Sequence, residues 1–192
     1  MLRHCRASSY TILAIETTDG HIFGSFTSQP WRLLSPEFYG SKDSFVWRMR
    51  QSRNQPCSSI MEQVLAESKI DVFPYTGNNT KIQFCSKDFL ALGEEELEDM
   101  EDVHDGTTHF GNAIRLNSSM TIGSTSTSKT YANPSLIHND KRGEEFKVAN
   151  IEMWALTPHT SLEIAVRSEM NNLFLEEERK TKNLNILEIL VS

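Results

Sequence analysis

Cysteine is scarce in this chain of 192 residues: Cys5, Cys57 and Cys85 lie far apart and form no Cys-x-x-Cys pair. An odd number of separated cysteines argues against a disulfide framework or a zinc site, and it indicates reduced thiols inside a cell. No apolar run approaches the roughly 18–20 residues that a membrane-spanning helix needs, and no apolar segment follows Arg3 and Arg6, as a secretory signal would require. We therefore expect an intracellular protein without membrane insertion, cytoplasmic in the first place, with mitochondrial and nuclear locations left open.

Basic charge is also in short supply. The net charge is −7, and the acidic tract from Glu94 to Asp105 holds eight carboxylates and no Lys or Arg, so the rest of the chain sums to +1 (−7 plus 8). Without a broad basic face, the chain lacks the electrostatic footprint of a nucleic-acid-binding protein. We expect the acidic tract to be a solvated loop.

The acidic tract does not have the pattern of a metal site. When Gly106 is aligned with the glycine of an EF-hand loop, the third position is Val103 and the last is Asn112, so two ligand positions fail. The two histidines of this region, His104 and His109, do not have the i, i+4 spacing of ligands on one helix. We expect neither a metal ion nor another cofactor.

Catalytic motifs are missing as well. The sequence contains no Gly-x-Ser-x-Gly elbow, no phosphate-binding glycine loop and no His-Glu-x-x-His. The remaining candidate for chemistry is Cys57, which precedes a predicted helix, because a helix N-terminus can lower the pKa of a thiol. Cys85 lies in a predicted strand and is expected to be buried. We therefore expect a non-enzymatic protein, with a thiol-based antioxidant enzyme using Cys57 as the alternative.

A β-hairpin near the start of the chain is the strongest local pattern. Apolar and β-branched residues at 10–16 and 21–27 flank Asp19-Gly20, a pair that favours a tight hairpin turn because both residues tolerate positive φ. Gly24 in the return strand indicates a close approach of another backbone.

Further strands and two helices follow from the residue periodicity. The first helix is predicted at 57–68, where Ser59 and Glu62 form a capping box, and the second at 161–180, where Thr160 and Glu163 form another. The expected fold is a β-rich α+β domain, with two packed antiparallel sheets (a β-sandwich), a few flanking helices and a C-terminal helix. Its other strands are predicted at about 44–50, 71–75, 80–85, 88–92, 109–116 and 148–156.

The motifs of the chain resemble those of the TLDc domain, which the oxidation-resistance proteins share. The resemblance covers about residues 10–156. It rests on the hairpin, a Ser-x-Pro-Trp-Arg segment, aromatic-Tyr-Gly, a Ser-Phe-x-Trp strand and a closing Ile-Glu-x-Trp strand. The residues that match the family pattern, to which we assign structural roles, are Asp19, Gly20, Gly24, Pro30, Trp31, Gly40, Trp47, Gly111, Asn133, Glu152 and Trp154.

The resemblance implies a domain organisation and a function. Residues 1–9 are expected to be a disordered stub, 10–157 a TLDc-like domain that lacks the usual first elements of the family, and 158–192 a C-terminal helical extension. The implied function is a non-catalytic interaction module in oxidative-stress resistance that binds and modulates the vacuolar proton-pumping ATPase. An incomplete domain without independent function is a further alternative.

Charged residues on or beside the loops that leave the hairpin are the candidates for contact with a protein partner: Arg32, Lys42, Asp43 and Arg48. The three tryptophans, Trp31, Trp47 and Trp154, are expected to be core anchors, and to serve as interface residues only where they are exposed.

Overall fold

The computed structural model describes residues 8–94, 111–138, 143–157, 159–168, 170–171 and 174–175. Most of the acidic tract lies outside these residues, as do His104, His109 and Cys5, so the predictions made for them concern parts of the chain that the structure does not describe. The described residues form a nine-stranded antiparallel sheet in the order β4-β3-β2-β1-β9-β8-β7-β6-β5. Its strands are β1 (Tyr10–Thr17), β2 (Ile22–Thr27), β3 (Phe45–Met49), β4 (Ile70–Pro74), β5 (Gln83–Cys85), β6 (Phe89–Leu92), β7 (Ile114–Asn117), β8 (Ile122–Ser126) and β9 (Gly143–Leu156).

Two helices accompany the sheet in the described part of the chain. Helix α1 (Ile60–Glu67) lies between β3 and β4. A second helix, α2, begins at residue 162 and has helical residues at 162–168, 170–171 and 174–175. Within the described residues, no helix is long and apolar enough to cross a bilayer.

The predicted hairpin is confirmed. Gly20 adopts φ +77°, as the Asp-Gly turn requires, and its N–H donates to the carbonyl of Thr17 at 2.9 Å. Gly24 pairs with Ala14, and a Cβ added there would lie 1.8 Å from the carbonyl oxygen of Leu13. The close backbone approach that the sequence indicates at this glycine is therefore present.

The longest strand, β9, connects two groups of strands into a single sheet. Residues 143–147 pair with β8, and residues 148–156 pair with β1. The β-rich, antiparallel part of the fold prediction is confirmed. The observed unit is one continuous sheet, so the arrangement as two packed sheets stays a prediction.

A single core joins side chains from both groups of strands. Phe23 of β2 packs edge to face on Phe146 of β9, with ring centroids 5.1 Å apart. Tyr131 is also fully buried, and its hydroxyl donates to the carbonyl of Ile82 at 3.2 Å. The same cluster contains Leu13, Ile15, Phe23, Trp31, Val46, Ile82, Cys85, Leu90, Leu92, Ala113, Ile114, Leu116, Tyr131, Leu136 and Phe146.

Two segments differ from the sequence prediction. Of the strand expected at 109–116, residues 109 and 110 lie outside the described part, and the observed strand covers Ile114–Asn117. A further strand, β8, lies in the Ser- and Thr-rich stretch at 117–130, where we predicted no strand. Polar residues can occupy β8 because their hydroxyls are satisfied inside the fold. Thr125 donates to the carbonyl of Ala113 at 2.7 Å, and Ser126 donates to that of Asn112 at 3.0 Å.

The start of the ordered domain also differs from its prediction. Ser8, which we placed in a disordered stub, is buried, and its hydroxyl donates to the carbonyls of Tyr10 and Leu156 at 2.9 and 3.2 Å. Residues 1–7 lie outside the described part.

Candidate functional site

The three tryptophans occupy different environments. Trp31 is buried, and its indole N–H donates to the hydroxyl of Thr11 at 3.0 Å. Trp47 is half-buried. Trp154 is 59% exposed, so its predicted role as a core anchor is wrong. The reason is the alternation of side chains along β9. Ile151 and Met153 point towards the core, and Trp154, which follows Met153, therefore points towards solvent.

Trp154 begins an apolar row that crosses five strands. In the register of the sheet, Trp154 lies opposite Ile12, Ile12 opposite Phe26, Phe26 opposite Phe45, and Phe45 opposite Pro74. We call these five residues the outer row, because they all project from the side of the sheet opposite the core. We call the whole side that faces away from the core in β4, β3, β2, β1 and β9 the outer face.

Aromatic stacking orders the outer row. The ring of Phe26 stacks on Tyr10 with centroids 6.2 Å apart and on Phe45 with centroids 5.1 Å apart. Tyr10, Trp154 and Val72 of the outer face are exposed. A contiguous apolar surface of this kind on a globular fold is typical of an interaction site.

The indole of Trp154 is oriented by a neighbouring carboxylate. Its Nε1 donates to Oε2 of Glu152 at 3.0 Å, and Glu152 is exposed beside it. This pair gives the edge of the outer face one acidic group next to its largest aromatic ring. The sequence motifs assigned structural roles to both residues, and both side chains are exposed in the structure.

Helix α1 exposes a second apolar surface. The capping interaction predicted at its start is present, because the hydroxyl of Ser59 accepts the Glu62 N–H at 3.2 Å. Hydrogen bonds from the Ser58 hydroxyl and backbone N–H lower the pKa of Glu62. The large apolar residues whose periodicity predicts this helix face solvent, since Ala66 is its buried residue and four large side chains are exposed: Ile60, Met61, Val64 and Leu65.

Three of the predicted partner-binding residues lie at the surface. Arg32 is exposed and stacks over the ring of Tyr39 at 4.6 Å. Lys42 and Asp43 are exposed in the loop before β3, where Asp43 accepts a hydrogen bond from Ser41 at 3.2 Å. Lys42 and Asp43 lie three and two residues before Phe45 of the outer row. All three residues remain candidates for a partner contact.

The fourth predicted residue, Arg48, is not at the surface. It is 7% exposed, donates to the carbonyl of Ser135 at 2.9 Å, and pairs with Asp71 at 3.3 Å. Burial by itself would raise the pKa of Asp71, but the hydrogen bonds and charges of Arg50 and Arg48 outweigh it and lower that pKa. Arg48 is therefore a structural cation, and its assignment as a surface contact is corrected. Its register on β3 turns it towards the core, as it does Val46.

Two histidines meet near Arg48, and sequence reasoning missed them because they are 117 positions apart (138 minus 21). The rings of His21 and His138 lie 5.2 Å apart at their centroids, and Nδ1 of His138 lies 2.9 Å from Oε2 of Glu144. Burial, with a further contribution from His138, lowers the pKa of His21. Within the described residues, no group of His, Cys, Asp and Glu has the arrangement of a metal site.

The redox candidate Cys57 is half-exposed two residues before the N-cap Ser59. Its Sγ lies 3.7 Å from the carbonyl of Gln55. Cys85 is buried as expected, and burial raises the pKa of its thiol. Both cysteines of the described part are free thiols.

The other residues of the family pattern lie at structural positions. Gly40 has φ +142° and leaves no room for a Cβ beside Ile82. Asn133 is buried and donates to the carbonyl of Ser126 at 2.9 Å. Pro30 precedes the buried Trp31, and Gly111 lies three residues before the start of β7.

Residues 1–157 match the TLDc domain family. This match covers most of the chain, and the chain therefore belongs to the TLDc domain family. The match begins before Tyr10, where the resemblance read from the motifs began.

Among characterised relatives, the chain is similar to oxidation resistance protein 1 of several fungi. The protein of Yarrowia lipolytica is 26% identical over 143 residues, which cover 74% of this chain and 48% of the relative. That of Podospora anserina is 27% identical, covering 76% and 44%, and that of Schizosaccharomyces pombe is 23% identical, covering 76% and 62%. The chain thus spans about half the length of the relatives it matches.

Proposed function

We propose that this chain is a non-catalytic interaction module that contributes to oxidative-stress resistance inside the cell. Its family and the name shared by its relatives support the stress-related role. The observation that carries the interaction role is the outer face, where Trp154 is 59% exposed at one end of an apolar row that crosses five strands.

The partner is a protein surface with an apolar centre. Exposed tryptophans are frequent hot spots of protein interfaces, because a large rigid ring buries much area at little entropic cost. Glu152 beside Trp154 adds an acidic group at the rim. The TLDc resemblance implies the vacuolar proton-pumping ATPase as the specific partner to test. Arg32, Lys42 and Asp43, which lie on or beside the loops that leave the hairpin, are candidates for additional contacts.

The experiment is affinity capture of the tagged full chain from cells, with and without peroxide. We expect the proton pump to co-purify with the wild type and to be lost with Trp154→Ala. A matched control is Ile122→Ala, which removes an apolar side chain that is 48% exposed on β8, away from the outer row. Equal enrichment with all three proteins would contradict the outer face as the contact, and no enrichment of the pump would contradict this partner.

The alternative function is thiol chemistry at Cys57, which the structure places half-exposed near the start of α1. The test is peroxide protection in cells that express the chain with Cys5, Cys57 and Cys85 all replaced by Ser. Unchanged protection supports the interaction module. Loss of protection that returns when only Cys57 is restored supports the thiol enzyme.

The predicted packing of two antiparallel sheets into a sandwich also remains a proposal. We infer that the sheet bends along β9, so that its two strand groups face each other across the shared core. The pairing of Phe23 with Phe146 and the single core cluster support it. Long-range NOEs between Leu13 or Val46 on one side and Leu90 or Leu116 on the other would test it, and their absence would count against a sandwich.

The third reading, an incomplete domain, concerns the edge strands. Among the described strands, β4 and β5 end the sheet. The backbone of Ser35 and Tyr39 covers β5 through hydrogen bonds to Cys85 and Gln83, so β4 is the edge that another chain could pair with. Well-dispersed amide resonances from the purified chain would show independent folding. Broad, collapsed spectra would favour the incomplete domain.

A further inference from the structure

Strand β4 bonds to β3 through every second residue. At one end of the pair, the Arg50 N–H donates to the Lys69 carbonyl at 3.0 Å. At the other end, the Tyr75 N–H donates to the Ser44 carbonyl at 3.1 Å. Along an antiparallel strand, residues alternate between those whose backbone groups face the neighbouring strand and those whose groups point away from it. The odd-numbered residues of β4 therefore face β3, and the even-numbered residues face the open edge of the sheet.

The open edge of β4 is short and apolar. Its outward residues are Ile70 and Val72, each with an N–H and a C=O, and Pro74, which has only a C=O. Within the described residues, no backbone hydrogen bond beyond the sheet ladder involves Ile70 or Val72. Their side chains lie on the outer face and are 49% and 54% exposed. The edge therefore presents backbone donors and acceptors beside an apolar surface.

We propose that β4 of one copy of this chain pairs antiparallel with β4 of a second copy, about a two-fold axis at Val72. Val72 then lies opposite the second copy's Val72, and the two residues exchange a pair of hydrogen bonds. The N–H of each Ile70 donates to the Pro74 carbonyl of the other copy. Because proline has no N–H, the Ile70 carbonyl stays with solvent.

The residues of β4 favour this register over its two neighbours. A two-fold axis at Asp71 would place two carboxylates directly opposite each other, at the closest approach of an antiparallel pair, and such like charges are destabilising. An axis at Phe73 would retain, within β4, only the bonds from Val72 to Pro74, since the proline cannot donate in return. With the axis at Val72, Asp71 lies opposite Phe73, and the pairs on the outer face are all apolar.

A second copy is the occupant of this edge for two physical reasons. Strand β3 already holds β4 in a strand conformation, so the pairing orders no flexible segment, whereas an unstructured peptide would lose conformational entropy. Each chain also has a single open edge among the described strands, because Ser35 and Tyr39 cover β5. A two-fold pairing therefore uses both open edges, and the assembly ends with the dimer.

The dimer would place two outer faces on the same side of one continuous sheet. The two-fold axis at the paired edges runs perpendicular to the sheet, so both copies turn the same face to the same side. Pro74 ends the outer row, and in the dimer it lies opposite the second copy's Ile70. This inference goes beyond the proposed function and does not rest on it. Its tests use the purified chain alone, so failure of the dimer and failure of the protein partner are told apart.

The first measurement is the mass of the full chain by sedimentation and light scattering over a dilution series. We expect a reversible dimer for the wild type. Val72→Pro removes the central N–H donor and should raise the dimer dissociation constant at least about tenfold. Because this N–H points away from β3, the proline removes no hydrogen bond of the sheet. Val72→Thr keeps the donor and the branched side chain, and it should leave the dimer intact. Circular dichroism checks that both variants are folded.

The second measurement tests the register by disulfide cross-linking. Cys5 and Cys57 are replaced by Ser, and the buried Cys85 is kept. Val72→Cys then places two thiols opposite each other with Cα atoms about 5.5 Å apart, within the range of about 4.4–6.8 Å that a disulfide spans. The control is Ile70→Cys, whose two copies lie four residues apart along the strands, or about 14 Å. We expect oxidation to cross-link Val72→Cys and to leave Ile70→Cys monomeric.

Three outcomes would overturn the proposal. A wild type that stays monomeric at every concentration rules out the dimer. A dimer that Val64→Lys on α1 dissociates and Val72→Pro does not would assign the interface to α1. Equal cross-linking of Val72→Cys and Ile70→Cys would show random collisions in place of paired strands.

Discussion

At Gly24 the sheet leaves no room for a side chain, and at Arg48 it buries a full charge. The two residues lie in neighbouring strands. In each case the groups that face the residue explain why that residue type occupies the position. The missing Cβ of Gly24 lets the carbonyl of Leu13 approach. The guanidinium of Arg48 is balanced by Asp71 and by the carbonyl of Ser135. A buried charge with such partners is costly to disrupt.

Gly24→Ala should destabilise the fold by about 3 kcal/mol or more, because the new methyl group would lie 1.8 Å from a backbone oxygen. Gly77→Ala is the comparison, since its Cβ meets nothing within 4 Å and only the positive φ of +84° is strained. We expect Gly77→Ala to lower the free energy of unfolding by about 1–2 kcal/mol. Urea unfolding measures both, and equal losses would contradict the close approach at Gly24.

Arg48→Ala should cost about 2–3 kcal/mol, because it removes a buried guanidinium and leaves the carbonyl of Ser135 without its donor, while Asp71 keeps Arg50 as a partner. Arg50 contacts the same Asp71 at 2.7 Å but is 61% exposed. Arg50→Ala should therefore cost only about 0–1 kcal/mol. Chemical denaturation measures the loss in free energy of unfolding for both variants. A larger loss for Arg50→Ala than for Arg48→Ala would contradict the assignment of Arg48 as the structural cation.

The lowered pKa of His21 predicts acid sensitivity. The unfolded chain takes up this proton near the ordinary histidine value of about 6.5, before the folded chain does. The stability that neutral His21 contributes is therefore complete above about pH 6.5 and is lost as the pH falls towards the lower folded pKa. His21→Gln should reduce the loss in free energy of unfolding as the pH falls below about 6.5, as measured by urea denaturation at several pH values. His159→Gln, at an exposed position, serves as the control.

Among the elements, the hairpin and α1 were predictable and β8 was not. The Asp-Gly turn and the Ser59–Glu62 cap act over three or four residues, so local sequence specifies them. Strand β8 is polar, and it becomes a strand only because β7 and β9 pair with it on either side. Local propensity carries no sign of such pairing.

Helix α1 shows why the helical periodicity of apolar residues does not establish a core. Its periodicity is correct, yet the large apolar residues face solvent and Ala66 is buried. We expect Val64→Lys to change the free energy of unfolding by less than about 0.5 kcal/mol. Ala66→Lys should cost several times more, since it places a charge in a buried position. Thermal unfolding compares the stabilities of the two variants. A large loss of stability for Val64→Lys would mean that other residues cover the apolar side of α1.

At the scale of the whole molecule, β9 decides the fold. It is the only described strand that pairs with one group of strands through its first part and with the other through its second. The core cluster crosses the same junction. We therefore expect both groups to unfold together.

Phe146→Ala tests this coupling, because its ring links β9 to Phe23. Removing a buried phenylalanine costs about 3–5 kcal/mol. Amide hydrogen exchange should show protection falling by the same factor in β2 and in β7. Loss confined to β7 and β8 would show that the two groups unfold independently.

The sequence alone determined the turns, caps and strand alternation, and its motifs placed the chain in the TLDc domain family, because those features depend on neighbours along the chain. The tertiary structure decided which side of each strand faces inward. That choice buried Arg48 and exposed Trp154, although the sequence suggested the reverse for both. It also brought His21 to His138 and aligned the outer row across five strands. Such outcomes depend on the register between distant strands, and a shift of one residue would turn every side chain to the other face.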